Sequence, residues 1–333
     1  MISLLNDKTV LITGGTGSFG NHFADYVLKN YKPKKVIIYS RDEFKQFNMR
    51  SRLAAYDAVM RYFIGDVRDQ DRLRRAFDGV DYVIHAAAMK QVPACEYNPN
   101  EAIKTNINGA VNVIEAALDA EVGRVVALST DKAVGPVNLY GGTKLVSDKL
   151  FIAANVYSGR RSTAFSVVRY GNVAGSRGSV IPVFRELMDR GETRLPITDH
   201  RMTRFWISLD QGVELVLKAL EEAKGGETFI SKIPSFKITD LAQAMCPGCE
   251  MPEIGIRAGE KLHEIMITQE DAPNTLEYDS HFIIYPQIHW ENQEKFVAPG
   301  GKPLPEGFAY SSGSNNWWLS VEEIRQRIRQ MGL

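Results

Sequence analysis

The stretch 11–28, LITGGTGSFGNHFADYVL, sets Gly14, Gly17 and Gly20 three residues apart between a β-branched run and an amphipathic helix. A strand that turns at once into a helix leaves little room for side chains. Gly14 permits the tight turn, Gly17 lets backbone approach a pyrophosphate, and Gly20 lets helix and strand pack closely. The helix N-terminus then faces the phosphates. A glycine-rich turn without a ligand is the bland alternative, and the position of the loop between a strand and a helix argues against it.

Up to about residue 170 the chain alternates apolar runs with helical patterns. The strand candidates are 9–13, 35–40, 61–65, 81–87, 124–130 and 164–170. Near-continuous apolar character suits parallel strands covered on both faces. Between the fourth and fifth, Ile103, Ile107, Ala110, Val111, Ile114, Ala117 and Leu118 follow helical spacing, with Asn98-Pro99 as a start. This alternation predicts an α/β fold, a Rossmann-type doubly wound parallel sheet. A chain of 333 residues exceeds what one core usually organises. Residues 1–170 are therefore expected to bind a dinucleotide. Residues 171–333 are expected to form a smaller substrate-binding lobe, interleaved with returning sheet strands. Helices are predicted in VFRELMDRG, LDQGVELVLKALEEA and KITDLAQAM, a strand in ETFIS, and a final helix opening with a Ser320/Glu323 capping box.

Lys+Arg and Asp+Glu balance at 40 each, which excludes an electrostatic footprint for nucleic acid or an anionic membrane. No apolar run approaches the roughly 18 residues of a membrane span. The N-terminus lacks the features of a secretory signal, so a cytoplasmic protein is expected. Three cysteines make a disulfide framework unexpected. CPGC (246–249) reads as a loop after a helix, not as a redox or zinc motif. His263-Glu264 lacks a second histidine at metalloprotease spacing, and no metal is expected. NNWW (315–318) reads as packing for the last helix.

The second strand ends in Ser40 and Arg41, with Lys45 one turn on. Two cations at the strand tip suit a ribose 2′-phosphate, so NADP is favoured over NAD. Asp42 serves either a 2′-hydroxyl or the cap of the next helix.

Residues 129–144, STDKAVGPVNLYGGTK, follow the fifth strand. Tyr140 and Lys144 are four apart on one helical face. A cation beside a phenol lowers its pKa from about 10, so that Tyr140 can take a proton from a sugar hydroxyl. Asp131-Lys132 adds a second acid–base pair. Oxidising a sugar carbon acidifies the neighbouring C–H. Lys132 is then a base if its pKa is depressed, and Asp131 an acid if its pKa is raised. The bland alternative is a solvated ion pair. Consecutive residues on a strand face opposite ways, so both reach one substrate only if the chain bends at 130–132.

TGGTGSFG, YSRDEFK, FIGDVRD, HAAAMKQVP, STDKAVGPVNLYGGTK, VVRYGNV, ITDHRMTRFWI and GIRAGEKLHE together closely resemble the inverting UDP-N-acetylglucosamine 4,6-dehydratases. These are extended short-chain dehydrogenase/reductases that open the pseudaminic acid pathway. The resemblance covers nearly the whole chain and weakens after about residue 270. Most sugar-nucleotide 4,6-dehydratases carry Thr-Asp-Glu where this chain has Thr130-Asp131-Lys132. Membrane-associated relatives that retain C5 configuration tend to carry Met in place of Tyr140.

The resemblance implies Lys132 as the C5 base, Asp131 as the acid at the C6 hydroxyl, and Tyr140 with Lys144 as the redox pair. It implies NADP held by Thr16, Gly17, Ser18, Phe19, Ser40, Arg41, Asp42, Glu43, Phe44, Lys45, Asp66, Val67 and Ala86, with Lys90 between cofactor and substrate. UDP-N-acetylglucosamine would be met by Thr130, Asn172, Val173, Thr198 and Glu260. Arg177 and Arg257 are either clamps on its diphosphate or surface arginines. The implied cycle moves hydride from C4 to the cofactor, eliminates water across C5–C6, returns hydride to C6 and reprotonates C5 from the opposite face. Relatives assemble as homo-oligomers, from dimers to hexamers. A UDP-sugar 4-epimerase needs Tyr140, Lys144 and the glycine loop but not Asp131-Lys132. A dinucleotide sensor without turnover needs only the fold.

Overall fold

The computed structural model describes residues 3–159, 161–175, 179–287 and 297–331. Strands β1 (Thr9–Thr13), β2 (Lys35–Ser40), β3 (Met60–Ile64), β4 (Tyr82–His85), β5 (Arg124–Thr130) and β6 (Ala164–Tyr170) follow the apolar runs of the sequence. Between them lie helices α1 (Ser18–Asn30), α2 (Glu43–Arg52), α3 (Gln70–Phe77), α4 (Val92–Tyr97), α5 (Pro99–Ile103), α6 (Gly109–Asp119) and α7 (Leu139–Tyr157). The strands pair in parallel in the order β3-β2-β1-β4-β5-β6. The order reverses between β1 and β4, and such a reversal opens a crevice at the carboxyl ends of the strands.

The later chain contributes α8 (Val180–Asp189), β7 (Thr203–Phe205), α9 (Leu209–Glu222), β8 (Thr228–Ser231), β9 (Ser235–Lys237), α10 (Ile238–Met245), β10 (Ile265–Ile267), β11 (Thr275–Glu277), β12 (His281–Ile284), β13 (Lys302–Pro303), β14 (Tyr310–Ser311) and α11 (Val321–Gln330). Strand β8 joins β6 in parallel; β12, β11 and β13 then extend the same sheet antiparallel. Ser320 and Glu323 form the expected capping box of α11.

Alternation along β1 supplies both faces of the sheet. Val10 and Ile12 join one core with Phe23, Val213 and Phe229, while Leu11 joins the other with Phe77, Ile114 and Phe151. A third core, around Trp206, Phe236, Leu241 and Ile324, belongs to the later chain. The expected single helix over 99–118 is broken by a wide five-residue π turn at Lys104–Asn108. That extra residue rotates the helical face. Thr105 and Asn106 are buried, whereas Ile103 and Val111 are exposed.

The glycine loop is tighter than its spacing indicates. Gly14 has φ +65°, and a Cβ there would stand 2.8 Å from the Ala87 backbone. A Cβ on Gly20 would stand 2.5 Å from Gly15, so Gly20 lets α1 press on the loop and not on the strand.

The chain does bend after β5. Residues Asp131–Ala133 form one 3₁₀ turn, with the Lys132 amide donating to Thr130 Oγ1 at 3.3 Å. Asn138 caps α7 by accepting from the Gly141 amide at 2.8 Å. A Cβ on Gly141 would collide with the Lys132 carbonyl oxygen, so the helix that carries Tyr140 rests directly on this turn. Gly141→Ala is expected to destabilise the protein by about 1–3 kcal/mol, as overpacking does. Denaturant unfolding checks this, and an unchanged midpoint would contradict the packing described.

Candidate active site

A cleft of about 450 Å³ runs along the carboxyl ends of β1 to β6. Its walls bring together Gly14, Thr16, Gly17, Ser18, Phe19, Gly20, Ser40, Arg41, Asp42, Lys45, Asp66, Val67, Ala86, Lys90, Thr130, Tyr140, Lys144, Asn172 and Val173. Glu43 and Phe44 do not line it; they start α2 with their side chains exposed.

The end of the cleft beside β2 is fixed by short polar contacts. Thr16 Oγ1 and Ser40 Oγ are 2.9 Å apart, and buried Gln46 donates to the Ser40 and Phe63 carbonyls at 3.0 and 2.9 Å. The alternative left open for Asp42 resolves to the helix cap. Its carboxylate accepts from the Lys45 amide at 2.9 Å and pairs with Lys45 Nζ at 2.8 Å, and both bonds hold its pKa below the usual range. Burial raises Asp66, but hydrogen bonds from Arg68 outweigh it and keep its carboxyl low, with Arg41 3.5 Å away. The Gly17 end of α1 carries no capping side chain. Its free amides and the glycine cradle fit a dinucleotide pyrophosphate.

At the other end, Tyr140 is pushed up to about 12 by burial, against the pull of Lys132 and of the Thr130 hydroxyl. The expectation that Lys144 would be the lowering cation is corrected, since the nearby ammonium is that of Lys132. Lys144 itself is buried and pulled down by desolvation, with Asp148 working the other way. Asp148 lies one turn along α7, buried, accepting from Ser129 Oγ at 2.5 Å with Arg169 3.9 Å away. His85 donates to or accepts from Thr13 at 2.8 Å, and burial and then Lys144 lower it to about 3, so it stays neutral.

Lys132 is not a solvated lysine. Its side chain is 21% exposed, and Nζ lies 3.2 Å from each of Asp131 Oδ1, Asn172 Oδ1 and Glu264 Oε1. Asp131 is fully buried, with Thr130 Oγ1 donating to Oδ1 at 2.9 Å and Oδ2 unpaired among the described residues. The condition set for Lys132 as a base, a depressed pKa, is not met in the resting protein. Desolvation lowers it, but the Asp131 and Glu264 carboxylates outweigh that and raise it. The resting protein holds an ammonium here. Lys90 is lowered by burial and by the Lys132 charge.

The remaining expected residues lie apart. Arg257 is 67% exposed, 4.0 Å from Glu260, and neither lines the cleft. Thr198 donates to Met202 Sδ at 3.2 Å, also outside the cleft walls. Arg177 lies outside the described residues. The loop that carries Arg257 is nevertheless tied to the site. Asn138 donates to the Gly259 carbonyl at 2.8 Å, and Lys261 Nζ donates to the Val134 carbonyl.

Sequence reasoning missed Glu264, set aside as an incomplete metal motif; Asn106, whose amide donates to the Met89 carbonyl and Thr143; and Asp148. Only a helical spacing of four from Lys144 could have flagged Asp148. Cys246 and Cys249 form a disulfide across the turn after α10, against expectation, because a two-residue Pro-Gly turn brings the thiols together. Leu319 is the buried residue beside NNWW, while Trp317 and Trp318 are partly exposed. Among the described residues no group of three His, Cys, Asp or Glu could hold a metal, and no helix is long and apolar enough to cross a membrane.

A family model described as polysaccharide biosynthesis protein matches residues 10–286. The chain is 56% identical over 330 residues to a UDP-N-acetylglucosamine 4,6-dehydratase (inverting) of Campylobacter jejuni, covering 98% of each protein. It is 41% identical over 329 residues to a UDP-glucose 4-epimerase of Rickettsia akari, covering 97% of this chain and 95% of that one. The X-ray structure of Pen from Bacillus thuringiensis superposes with a TM-score of 0.88 at 39% identity, covering 98% of this chain and 99% of Pen. The dTDP-glucose 4,6-dehydratase DesIV of Streptomyces venezuelae, crystallised with NAD, shares the fold at a TM-score of 0.67 and 24% identity, covering 76% of this chain and 86% of that one. The chain belongs to the polysaccharide biosynthesis protein family, and within it to the inverting UDP-N-acetylglucosamine 4,6-dehydratases of the extended short-chain dehydrogenase/reductase type.

Proposed function

We propose that this protein is an NADP-dependent UDP-N-acetylglucosamine 4,6-dehydratase that inverts C5, the first step of pseudaminic acid synthesis. The observation that carries the reading is the juxtaposition of buried Asp131 with Lys132 on the 3₁₀ turn that follows Thr130, with Lys132 Nζ 3.2 Å from Asn172 Oδ1; Thr130, Asn172 and Tyr140 line the cleft. A 4-epimerase needs no such pair. The Rickettsia relatives named epimerases keep that reading as the alternative.

The residues are assigned as follows. Tyr140, with Lys144 beneath it on α7, takes the proton of the C4 hydroxyl. When bound, the oxidised nicotinamide supplies a hydride acceptor that becomes the donor later in the same turnover, together with a positive charge that favours the phenolate. The resulting 4-ketone acidifies the C5 hydrogen, which Lys132 removes. Asp131 protonates the C6 oxygen, and it departs as water. The two walls of the cleft divide the labour: residues 1–170 hold the dinucleotide, and residues 171–333 close over the UDP-sugar. Val173 is a substrate contact from the cleft wall. Arg177, Thr198, Arg257 and Glu260 are carried as substrate contacts by likeness alone. NADP is preferred to NAD because Asp42 is occupied as a cap and Arg41, 60% exposed at the tip of β2, is held only by Asp66 at 3.5 Å among the described residues. We carry a cytoplasmic homo-oligomer as part of the same reading.

Incubation with UDP-N-acetylglucosamine in deuterated water tests the reaction. A product with a 6-methyl NMR signal and deuterium at an inverted C5 is expected; UDP-N-acetylgalactosamine without loss of water would favour the epimerase. Tyr140→Phe should slow formation of reduced nicotinamide in a single turnover by about 10²- to 10⁴-fold, the range of a positioned base. A normal rate would contradict its role. Lys132→Ala should leave cofactor binding intact and abolish deuterium entry at C5; continued exchange would assign the base elsewhere. Arg41→Ala should weaken NADP binding about 10- to 100-fold, as loss of one charge-assisted hydrogen bond does, with NAD affinity unchanged. Equal weakening of both would remove the argument for NADP.

A further inference from the structure

Glu264 is buried like Asp131 and more deeply than Lys132, yet no step above uses it. Its side chain is 3% exposed, with Oε1 3.2 Å from Lys132 Nζ and 3.7 Å from Arg204 Nε. Oε2 is buried with no partner among the described residues. Its backbone is locked on both sides. The Glu264 amide donates to Ser312 Oγ at 2.9 Å, and the Ser312 amide donates to the Glu264 carbonyl at 2.8 Å. Ser312 Oγ lies 2.8 Å from Thr203 Oγ1, which meets His263 Nδ1 at 2.8 Å. Such a network fixes the backbone from which the carboxylate projects, and the carboxylate itself is held by Lys132 and Arg204.

We propose that Glu264 is a positioning residue of the dehydration step: it holds the Lys132 amine against Asp131 and, with Arg204 at its back, directs the Lys132 proton to Asp131 and not to itself. The inference rests on the function proposed above. Dehydration needs a neutral amine and a protonated acid, and Lys132 starts as an ammonium paired with Asp131. Moving one proton from Lys132 Nζ to Asp131 Oδ1, across 3.2 Å, produces both without solvent. Glu264 Oε1 is an equally near acceptor, but that oxygen is also paired with the Arg204 guanidinium at 3.7 Å. Asp131 has no second cation within ion-pair distance among the described residues. The amine then takes the C5 proton, the C5–H electron pair becomes the C5–C6 double bond, and the C6–O bond breaks. The departing oxygen leaves as water with the proton from Asp131. Lys132 is again an ammonium, Asp131 again a carboxylate, and Glu264 stabilises the charge that has returned.

The charged and titratable groups facing Lys132 and Glu264 are Asp131, Tyr140, Lys90, Arg204, Lys261 and, through Thr203, His263. Glu264→Gln keeps an oxygen acceptor but removes one negative charge, so Lys132 loses its proton more readily. In this variant the pH limb that governs C5 deuterium exchange is expected to move down by about one unit, and kcat to fall roughly tenfold with little change in KM. Single-turnover reduction of the cofactor should be unaffected. Arg204→Gln removes the opposing cation and is expected to move the limb upward; should Glu264→Gln fail to bind cofactor, this variant carries the test with the opposite sign. A limb unmoved in the folded variant, whatever the fall in rate, would make Glu264 structural only and overturn the proposal. If the wild-type protein loses no water from the sugar, it is the underlying reading that fails.

Discussion

A buried cluster of four charges governs the arrangement of this site. Lys132 stands between Asp131 and Glu264, and Arg204 backs Glu264. Buried charges are tolerated only when paired and hydrogen-bonded, so the cluster demands that three distant pieces of chain meet with little error. Strand β7 brings Arg204, and the exit of β5 meets the segment 259–264. Three contacts join them: Asn138 to Gly259, Lys261 to Val134 and Lys132 to Glu264. The loop that precedes β10 is thereby bound to the turn that precedes α7.

The sheet explains why this meeting occurs beside a dinucleotide cradle. Parallel strands deliver all their carboxyl ends to one edge, and the reversal of order at β1 and β4 opens a crevice there. The glycine loop, the tip of β2, the end of β5 and Asn172 after β6 all lie along that crevice. Tyr140 and Lys144 arrive on α7, which Gly141 allows to rest on the turn after β5. A redox pair in the cleft wall and an acid–base pair that touches that wall at Asn172 bring two kinds of chemistry together. A pocket with only the first pair would suit simpler sugar redox reactions.

Much of this was legible in the sequence because it depends on local chemistry. Period and β-branched content marked β1, β2, β5 and β6 at their observed bounds, and the capping box marked the start of α11. The bend at 130–132 followed from the need for Asp131 and Lys132 to share a substrate. What was not legible depends on contacts between distant segments. Nothing near Glu264 indicates that a residue 132 positions earlier will hold its carboxylate. The direction of the Lys132 shift was not legible for the same reason: one lysine beside one acid gives no sign of a second. The π turn at Lys104–Asn108 defeated the helical period, turning Ile103 and Val111 outward and Asn106 toward Met89. The Cys246–Cys249 bond was hidden by an argument from cysteine number, whereas the Pro-Gly turn between them decides it.

The central claim is that the amine of residue 132 acts on the sugar from inside this pocket. A crystal structure with cofactor and nucleotide sugar bound measures it most directly. The account predicts Lys132 Nζ within reach of C5 and the Asp131 carboxyl within hydrogen-bond distance of the C6 oxygen. An amine turned out to bulk water while the sugar fills the cleft would contradict it.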